Sequence, residues 1–450
     1  MIKNLVTTPF VDTFSSTNEN IIIGQWCLRE LNEKKNNFSI SETPYHWADE
    51  SKIKKDYEYL KEFYYRTIKN FTSLLNNYHE IDKPERYWHI ILGTFFANFI
   101  PLVWDRWETI SNLSKNEFKT TILTNSENIP VFEDFKDFFM SFNDHYWNHQ
   151  IYIEIIKVLK DKSFTYQTKQ FNYQKKKYKK KNNFFFAILG IFFNPFFKNN
   201  DYLFYDMAFS KFNYFKLNLA LKQIPTINNK LDRKIFHNTT LKRDKLKIKN
   251  EGKNQFENFC YNLIIKNLPK SYLENYKKLK EYTDEIDLNP QKIVTSYAHV
   301  NNDTFKIWSA EQVLKGKKLI ITDHGGYVDE SSYFYSMEKY SDIYLKWNKT
   351  DSLSTKQVPP SLFLDKRKIL KKTDLGNKIL FLTTNCHLYS LRVGPSPIST
   401  TMVEEQKEWI DFLKKIVKVN EFNLKVRVHP RDNWNFKKIF LKNFEKNLLS

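Results

Sequence analysis

Residues 292–322, KIVTSYAHVNNDTFKIWSAEQVLKGKKLIIT, decide the fold class. The short apolar runs at 292–297 and 318–322 are typical of buried β-strands, and the stretch between them predicts a helix that ends at Gly316. A third strand-like run, 342–347, follows. Strands that alternate with helices indicate an α/β domain built on an open sheet.

The N-terminal half combines this pattern with long helices. The isoleucine run 21–23 leads into Gly24, as in the first βα unit of an α/β domain. Apolar and aromatic side chains recur at helical spacing over 52–78 and again over 85–107. We therefore expect an α/β domain that carries large helical insertions.

The diproline Pro359-Pro360 lies in a stretch of linker-like composition, and an α/β pattern resumes after it. Strands are predicted over 376–385 and 424–429, with a helix over 403–419 between them. Two strands are too few for a doubly wound sheet, so we expect the second domain to be C-terminally truncated. The expected organisation is an N-terminal α/β domain over 1–348, a linker over 349–375 and a partial Rossmann-like domain over 376–450.

The composition favours a reducing compartment and anionic partners. Lys and Arg outnumber Asp and Glu by 71 to 51, a formal net charge of +20 that attracts nucleic acid, anionic lipid and phosphorylated substrates alike. Cys27, Cys260 and Cys386 have no metal-binding spacing, and MIKNLVTTPF lacks the apolar core of a signal peptide. We expect a cytoplasmic protein without a metal.

Residues 175–197 pair a lysine-rich run, KKKYKKKNN, with an apolar run, FFFAILGIFFNPFF. The apolar run is too short to span a bilayer unaided. Two interpretations stay open: a contact with an anionic membrane surface, or a solvated lysine loop followed by a buried element.

A histidine marks the end of the strand over 318–322. Asp323 and His324 follow that strand directly, and Gly325 and Gly326 come next. Ligands of open α/β sheets collect beyond the carboxyl ends of the strands, and paired glycines let a phosphate or an acceptor approach the backbone closely. The alternative is a structural histidine in a turn.

A second histidine, His429, ends the strand over 424–429 and is surrounded by basic residues. Arg427 and His429 are two residues apart and therefore point the same way from a strand. With Arg431 and nearby backbone amides they predict a phosphate site that needs no metal. A cleft between two domains would bring the two histidines together.

Several blocks of the chain, in one order, resemble a known family: the transferases of O-antigen and surface-glycan biosynthesis clusters, first named from leptospiral sequences. The family is similar to glycosyltransferases of the GT-B type, which have two Rossmann-type domains. The blocks are IIIGQWC (21–27), ERYWHIILGTFF (85–96), VWDRW (103–107), KLNLAL (216–221), HVNNDTFKIWSAEQVLKGKKLIITDHGG (299–326), GNKILFLTT (376–384) and VRVHPRDNW (426–434).

The resemblance implies transfer of a sugar from a nucleotide-activated donor to a lipid-linked surface-glycan acceptor, at the inner face of the cytoplasmic membrane. A CMP-activated, nonulosonic-type donor ranks ahead of UDP- and dTDP-sugars, and no cofactor is implied. A looser resemblance, to teichoic-acid polymerases and to transferases of CMP-activated sialic or Kdo-type sugars, rests on the His-Gly and His-Pro pairs at strand ends. These likenesses imply a peripheral membrane enzyme.

The chemistry assigns roles to these residues. A histidine suits the task of accepting a proton from an acceptor hydroxyl near neutral pH, which places His324 as the base and Asp323 as its orienting partner or as the base itself. His429, Arg427 and Arg431, with the glycine pair, would bind the donor phosphate.

Two further groups are acceptor-side candidates. Gly24, Gln25 and Trp26 end the first predicted strand, whereas His299, Asn302 and Asp303 precede and begin a helix. For Asn302 and Asp303 the competing interpretation is helix capping.

Two other functions stay open from the sequence. A CDP-polyol phosphotransferase of teichoic-acid-like synthesis would use the same two histidines. A basic nucleic-acid-binding protein fits the charge, but no binding motif occurs, so we expect no nucleic-acid partner.

Overall fold

A computed structural model describes most of the chain. His324, Gly325 and Gly326, and the whole segment 175–197, lie outside the described residues. The described ranges are 2–31, 37–113, 117–125, 131–159, 164–173, 200–226, 230–236, 243–249, 252–323, 337–348, 352–360, 377–393, 401–419 and 421–450.

The N-terminal sheet has five parallel strands in the order β3-β2-β1-β4-β5. The chain builds outward from β1 to β3 and then returns to the other side of β1. That reversal creates a crevice between the carboxyl ends of β1 and β4. The strands are β1 Lys3–Val6, β2 Asn20–Ile22, β3 Ile40–Glu42, β4 Phe118–Thr124 and β5 Phe164–Gln170.

A second parallel sheet has the order β10-β9-β8-β7-β6. It contains the strands predicted at 292–297, 318–322 and 342–347, which confirms those predictions. Its last strand, β10, lies inside the segment that we interpreted as a linker. The strands are β6 Tyr202–Tyr205, β7 Lys292–Thr295, β8 Lys318–Thr322, β9 Ile343–Lys346 and β10 Thr355–Gln357.

The C-terminal residues form a parallel pair, β11 (Lys378–Leu382) with β12 (Asn423–Arg427). The predicted helix between them is present as Met402–Val419. A small apolar cluster that includes Leu413, Val426 and Phe440 joins these elements. The sheets are all parallel, so the prediction of an α/β fold is confirmed.

The two long predicted helices are α1 and α2; α2 is almost entirely buried, and one face of α1 packs against it. Asp49 caps α1 by accepting a hydrogen bond from the backbone N–H of Ser51 at 2.9 Å, and Pro84 precedes α2. The helices are α1 Glu50–His79, α2 Glu85–Ser111, α3 Phe135–Met140, α4 His145–Val158, α5 Lys211–Ala220, α6 Gln255–Asn267, α7 Tyr276–Asp284, α8 Ala298–Asn301, α9 Asp303–Leu314, α10 Met337–Tyr340, α11 Met402–Val419 and α12 Phe436–Asn443.

Of the described helices, α2 is long and apolar enough to cross a membrane. Its most apolar window is 94% buried within the protein, where residues of both sheets and of α1 belong to the same core. Core helices share this length and composition, so α2 is weak evidence of a membrane span.

Candidate active site

A cleft of about 1050 Å³ lies between the N-terminal sheet and the C-terminal part of the chain, residues 377–450. Phe10 lies beyond the carboxyl end of β1, and Phe171 follows β5 directly. The opposite wall includes His387, which follows β11, and Arg431, which follows β12. The cleft therefore opens where ligands of α/β folds bind, at the carboxyl ends of parallel strands.

A buried histidine secures the crevice of the N-terminal sheet. His149, on α4, lies 2.7 Å through Nδ1 from the Thr7 hydroxyl, and its Nε2 accepts the backbone N–H of Leu123 at 3.2 Å. Because Nε2 accepts, the ring proton lies on Nδ1 and is donated to Thr7. Burial lowers the pKa of His149 to about 3, so the ring is neutral and ties the ends of β1 and β4 to α4.

The segment after β11 is fastened to the N-terminal part by hydrogen bonds. The backbone N–H of Leu388 donates to Asn143 at 2.8 Å, and the Tyr45 and Ser390 hydroxyls lie 2.6 Å apart. Arg29 donates to Asn435 at 3.3 Å across the cleft. The two walls of the cleft are therefore joined by direct contacts.

Two imidazoles line the cleft. His145 begins α4, and its Nδ1 lies 2.8 Å from the Tyr389 hydroxyl. Tyr389 is fully buried. Its ring centroid lies 5.1 Å from that of Trp26, with the two rings tilted by 52°, and the Arg106 guanidinium lies over the ring at 5.4 Å. Burial raises the pKa of Tyr389 well above 10, so the phenol keeps its proton and holds the His145 ring in place.

His387, the second imidazole, packs edge-on against Phe139 and Phe142. Burial, and then the positive charge of Arg431, lowers the pKa of His387 to about 4. Its Nδ1 is buried and has no hydrogen-bond partner among the described residues. His387 is therefore a neutral ring at pH 7, placed beside an arginine at the cleft.

Three basic side chains, Arg29, Arg431 and Lys438, line the same cleft. Asp432 accepts the backbone N–H of Phe436, the first residue of the helix that carries Lys438, at 2.7 Å. Basic side chains beside half-buried imidazoles suit an anionic group such as a phosphate. The acidic residues on the cleft are Glu30, Asp137 and Asp144.

Of the described residues predicted to form the site, Arg431 is the one that lines this cleft. His429 is half-buried, and its contacts are local: its backbone N–H donates to Thr383 at 2.9 Å, and its Nδ1 accepts the backbone N–H of Arg431 at 3.2 Å. Arg427 is exposed on β12. The cleft therefore contains one member of the predicted phosphate group.

Asp323 is buried at the end of β8. Its carboxylate accepts the Tyr344 hydroxyl and, at 3.2 Å, the backbone N–H of Trp347. These contacts tie β8 to β9. The roles predicted for His324, Gly325 and Gly326 lie outside the described residues.

The first acceptor-side group lies at the end of β2. A Cβ on Gly24 would meet the Trp26 ring at 2.0 Å, so a glycine is required for this tryptophan to pack. Gln25 donates to Glu42, and Trp26 is buried against Tyr389. Trp26 thus supports the tyrosine that positions His145.

The second acceptor-side group is buried at the start of α9. Asn302 caps that helix by accepting the backbone N–H of Phe305 at 3.1 Å, as the competing interpretation of helix capping expected. Asp303 accepts hydrogen bonds from Ser271 at 2.6 Å and from Tyr272 at 2.7 Å, and it pairs with Lys306 at 3.1 Å.

His299 is also buried, one turn earlier in α8, and its ring centroid lies 6.5 Å from that of Tyr340. All three residues of this group are therefore packed inside the protein.

One group of described residues has the composition of a metal site: His46, Asp56 and Glu108, whose ligand atoms lie within 4.8 Å of one another. The Lys52 ammonium already lies 2.8 Å from Asp56 and 2.7 Å from Glu108. Two indole N–H groups, of Trp47 and Trp104, donate to the same Asp56 oxygen. Lysine supplies the positive charge here, and the donor set does not suit a metal ion.

His145 and His387 were not predicted from the sequence, although one signal for His387 was present. His387 follows a predicted strand, as His324 and His429 do, and the strand-end argument applies to it equally. His145 follows Asp144, which caps α4 by accepting the backbone N–H of Trp147 at 2.8 Å. On the cleft its ring contacts the hydroxyl of Tyr389, 244 residues away, which no local pattern indicates.

Comparison with known proteins found no match among curated proteins and none among solved structures. A family model described as LIC12162 family transferase matches residues 3–450. The match covers nearly the whole chain, including every residue of the cleft. The chain therefore belongs to the LIC12162 family of transferases.

Proposed function

We propose that this transferase is a metal-independent glycosyltransferase of the GT-B type. It takes a sugar from a nucleotide-activated donor, with CMP-activated nonulosonic-type sugars ranked first, and transfers it to a lipid-linked surface-glycan acceptor. The observation that carries the proposal is the cleft. Three basic side chains and two imidazoles meet there, between the carboxyl ends of the N-terminal sheet and those of the parallel pair β11 and β12.

The transfer needs two functions from the protein. The acceptor oxygen bonds to the anomeric carbon while the bond from that carbon to the donor phosphate breaks, and the nucleotide leaves with the electron pair. The acceptor proton passes to an imidazole, and basic side chains stabilise the charge on the departing phosphate. Arg431 and Arg29 are the proposed phosphate ligands.

His387 and His145 are the proposed candidates for the proton acceptor within the cleft, beside His324, which stays a prediction. His387 has its pKa lowered to about 4 by burial and by Arg431, so it is neutral and can accept a proton. A bound phosphate would offset the charge of Arg431 and raise the pKa of His387. Donor binding would thereby make the base stronger.

The proposal is tested by nucleotide binding, with paired arginine variants. We expect one of CMP, CDP, UDP, dTDP or GDP to raise the unfolding temperature of the protein. Arg431→Ala should weaken that binding about tenfold or more, whereas Arg427→Ala, which removes another exposed arginine that lies outside the cleft, should not. Loss of binding in Arg427→Ala alone would place the site elsewhere.

A transfer assay completes the test. Incubation with the preferred nucleotide sugar and a lipid-linked glycan should give an acceptor heavier by one sugar, detected by mass spectrometry. Products that carry a polyol phosphate from a CDP-activated donor would favour the polyol phosphotransferase. Absence of any nucleotide-induced stabilisation would contradict both functions.

A further inference from the structure

The short helix α5 exposes an apolar stripe to solvent. Phe212 is 63% exposed, Phe215 50% and Leu219 56%. At 100° per residue these three side chains fall within about 60° of one another around the helix axis. Leu221 and Ile224, just beyond the helix, are exposed as well. An exposed apolar patch of this kind marks a contact surface.

The opposite face of α5 is already packed, so the stripe is not a core face that has lost its place. Tyr214 and Leu217 join the cluster on the outer side of the second sheet, and the Tyr214 ring lies 6.4 Å from that of Phe204. Ser210 caps the helix by accepting the backbone N–H of Asn213 at 3.3 Å. These contacts fix which face of α5 points outward.

The charges around the stripe are basic. Residues 207–231 include Lys211, Lys216, Lys222 and Lys230 and no acidic residue. Lys211 and Lys216 flank the stripe on its two sides, and the Lys216 ammonium lies 4.6 Å from the centre of the Phe212 ring. Lysines at the margins of an apolar stripe can keep their charge in the headgroup layer while their stems cover apolar surface.

We propose that α5 lies in the interface of an anionic membrane, with Phe212, Phe215 and Leu219 inserted below the headgroups. An aromatic and aliphatic stripe with basic margins on one side of a folded protein is the arrangement of an interfacial helix. The lysines contact anionic lipid, and the net charge of +20 attracts the whole protein to the same surface. A second copy of the chain would bring the same lysines against this face.

Vesicle flotation of the full chain tests the proposal. The parent protein should bind vesicles of phosphatidylcholine with phosphatidylglycerol more tightly than vesicles of phosphatidylcholine alone, and binding should weaken as salt rises. Replacing Phe212, Phe215 and Leu219 by serine should reduce binding about tenfold or more. The matched control replaces Phe412, Val417 and Val419 on α11, which are exposed to a similar degree, and should bind as the parent does.

A second measurement locates the stripe directly. A polarity-sensitive dye at Phe215→Cys should shift its emission to the blue on addition of anionic vesicles, whereas the dye at Phe412→Cys should not; both variants carry Cys386→Ser, and Cys27 and Cys260 are buried. Unchanged emission at residue 215 would overturn the proposal. So would a parent protein that dimerises through this face, seen as a halved mass for the serine variant in light scattering. Neither outcome bears on nucleotide binding, so the proposed function is tested separately.

Discussion

The Tyr389 hydroxyl lies 2.8 Å from Nδ1 of His145, although the two residues are 244 positions apart. This hydrogen bond joins the segment after β11 to the first residue of α4, on the wall of the cleft. Trp26 and Arg106 also pack against the tyrosine ring, so its position is fixed by residues from three parts of the chain.

Tyr389→Phe should therefore lower kcat while nucleotide affinity is retained. The substitution removes the hydroxyl that orients His145 and leaves the packed ring in place. We expect kcat to fall about tenfold and the free energy of unfolding to fall by about 1 kcal/mol, as for the loss of one buried hydrogen bond. Steady-state kinetics and urea unfolding measure the two effects.

Tyr64→Phe is the matched control for that variant. Tyr64 lies 2.9 Å from His89 in another tyrosine–histidine pair, and neither residue lines the cleft. The control should lose a similar amount of stability with kcat unchanged. An equal fall of kcat in both variants would assign Tyr389 a structural role only.

The pKa of His387 should report on ligand binding in the cleft. In the free protein we expect a pKa of about 4, measured by NMR from the ring proton shifts. Arg431→Ala removes a positive neighbour of the protonated ring, so the pKa should rise, though not to 6.5, because burial is the larger cause. Nucleotide binding should raise it in the parent and not in Arg431→Ala. A pKa insensitive to both changes would separate His387 from the phosphate site.

Stability should fall as the pH is lowered from 6.5. His149 has its pKa lowered to about 3 by burial, so below pH 6.5 the unfolded chain takes up a proton that the folded chain does not. The stability that comes from keeping His149 neutral is fully present above pH 6.5. It is lost as the pH falls toward 3, at up to about 1.4 kcal/mol per pH unit.

The variant His149→Gln tests that slope. We expect urea unfolding at pH 7, 6 and 5 to show that the free energy of unfolding falls less steeply in the variant than in the parent. Between pH 6 and 5 the two slopes should differ by about 1 kcal/mol per pH unit. His79, His89 and His387, whose pKa values are also lowered by burial, should keep a residual decline in place. If the free energy of unfolding fell as steeply with pH in the variant as in the parent, His149 would not contribute to the pH dependence of stability.

Asp303→Asn should destabilise the fold. The carboxylate partners the Lys306 ammonium, which is fully buried, and burial already lowers the pKa of that lysine. Leaving the ammonium without its carboxylate should cost about 3–5 kcal/mol in urea unfolding.

The exposed pair Asp12 and Lys169 supplies the control for this prediction, and Asp12→Asn should cost well under about 1 kcal/mol. The double variant Asp303→Asn/Lys306→Met should recover part of the stability lost in Asp303→Asn. Native stability with weakened acceptor binding in Asp303→Asn would instead support the acceptor-side role.

Much of the secondary structure followed from local pattern. The run at 318–322 coincides with β8, and the helices at 52–78 and 85–107 lie within α1 and α2. Strands β1, β3, β4, β5, β6 and β10 were missed. The residues of β4 and β5 alternate apolar with polar side chains too weakly to stand out, and they become strands because they pair with β1 and with each other.

The sequence by itself determined the α/β class, the long helices, the strand-end histidines and the basic charge, because spacing and composition are local properties of a chain. Only the tertiary structure decided which strand ends face one another. It brought His145 and His387 to a cleft with Arg431, and it buried Asp323 and Asp303 among hydrogen-bond donors. The physical reason is that a site of this kind consists of contacts between distant segments, such as Tyr389 with His145, and local sequence does not encode which distant segments pack together.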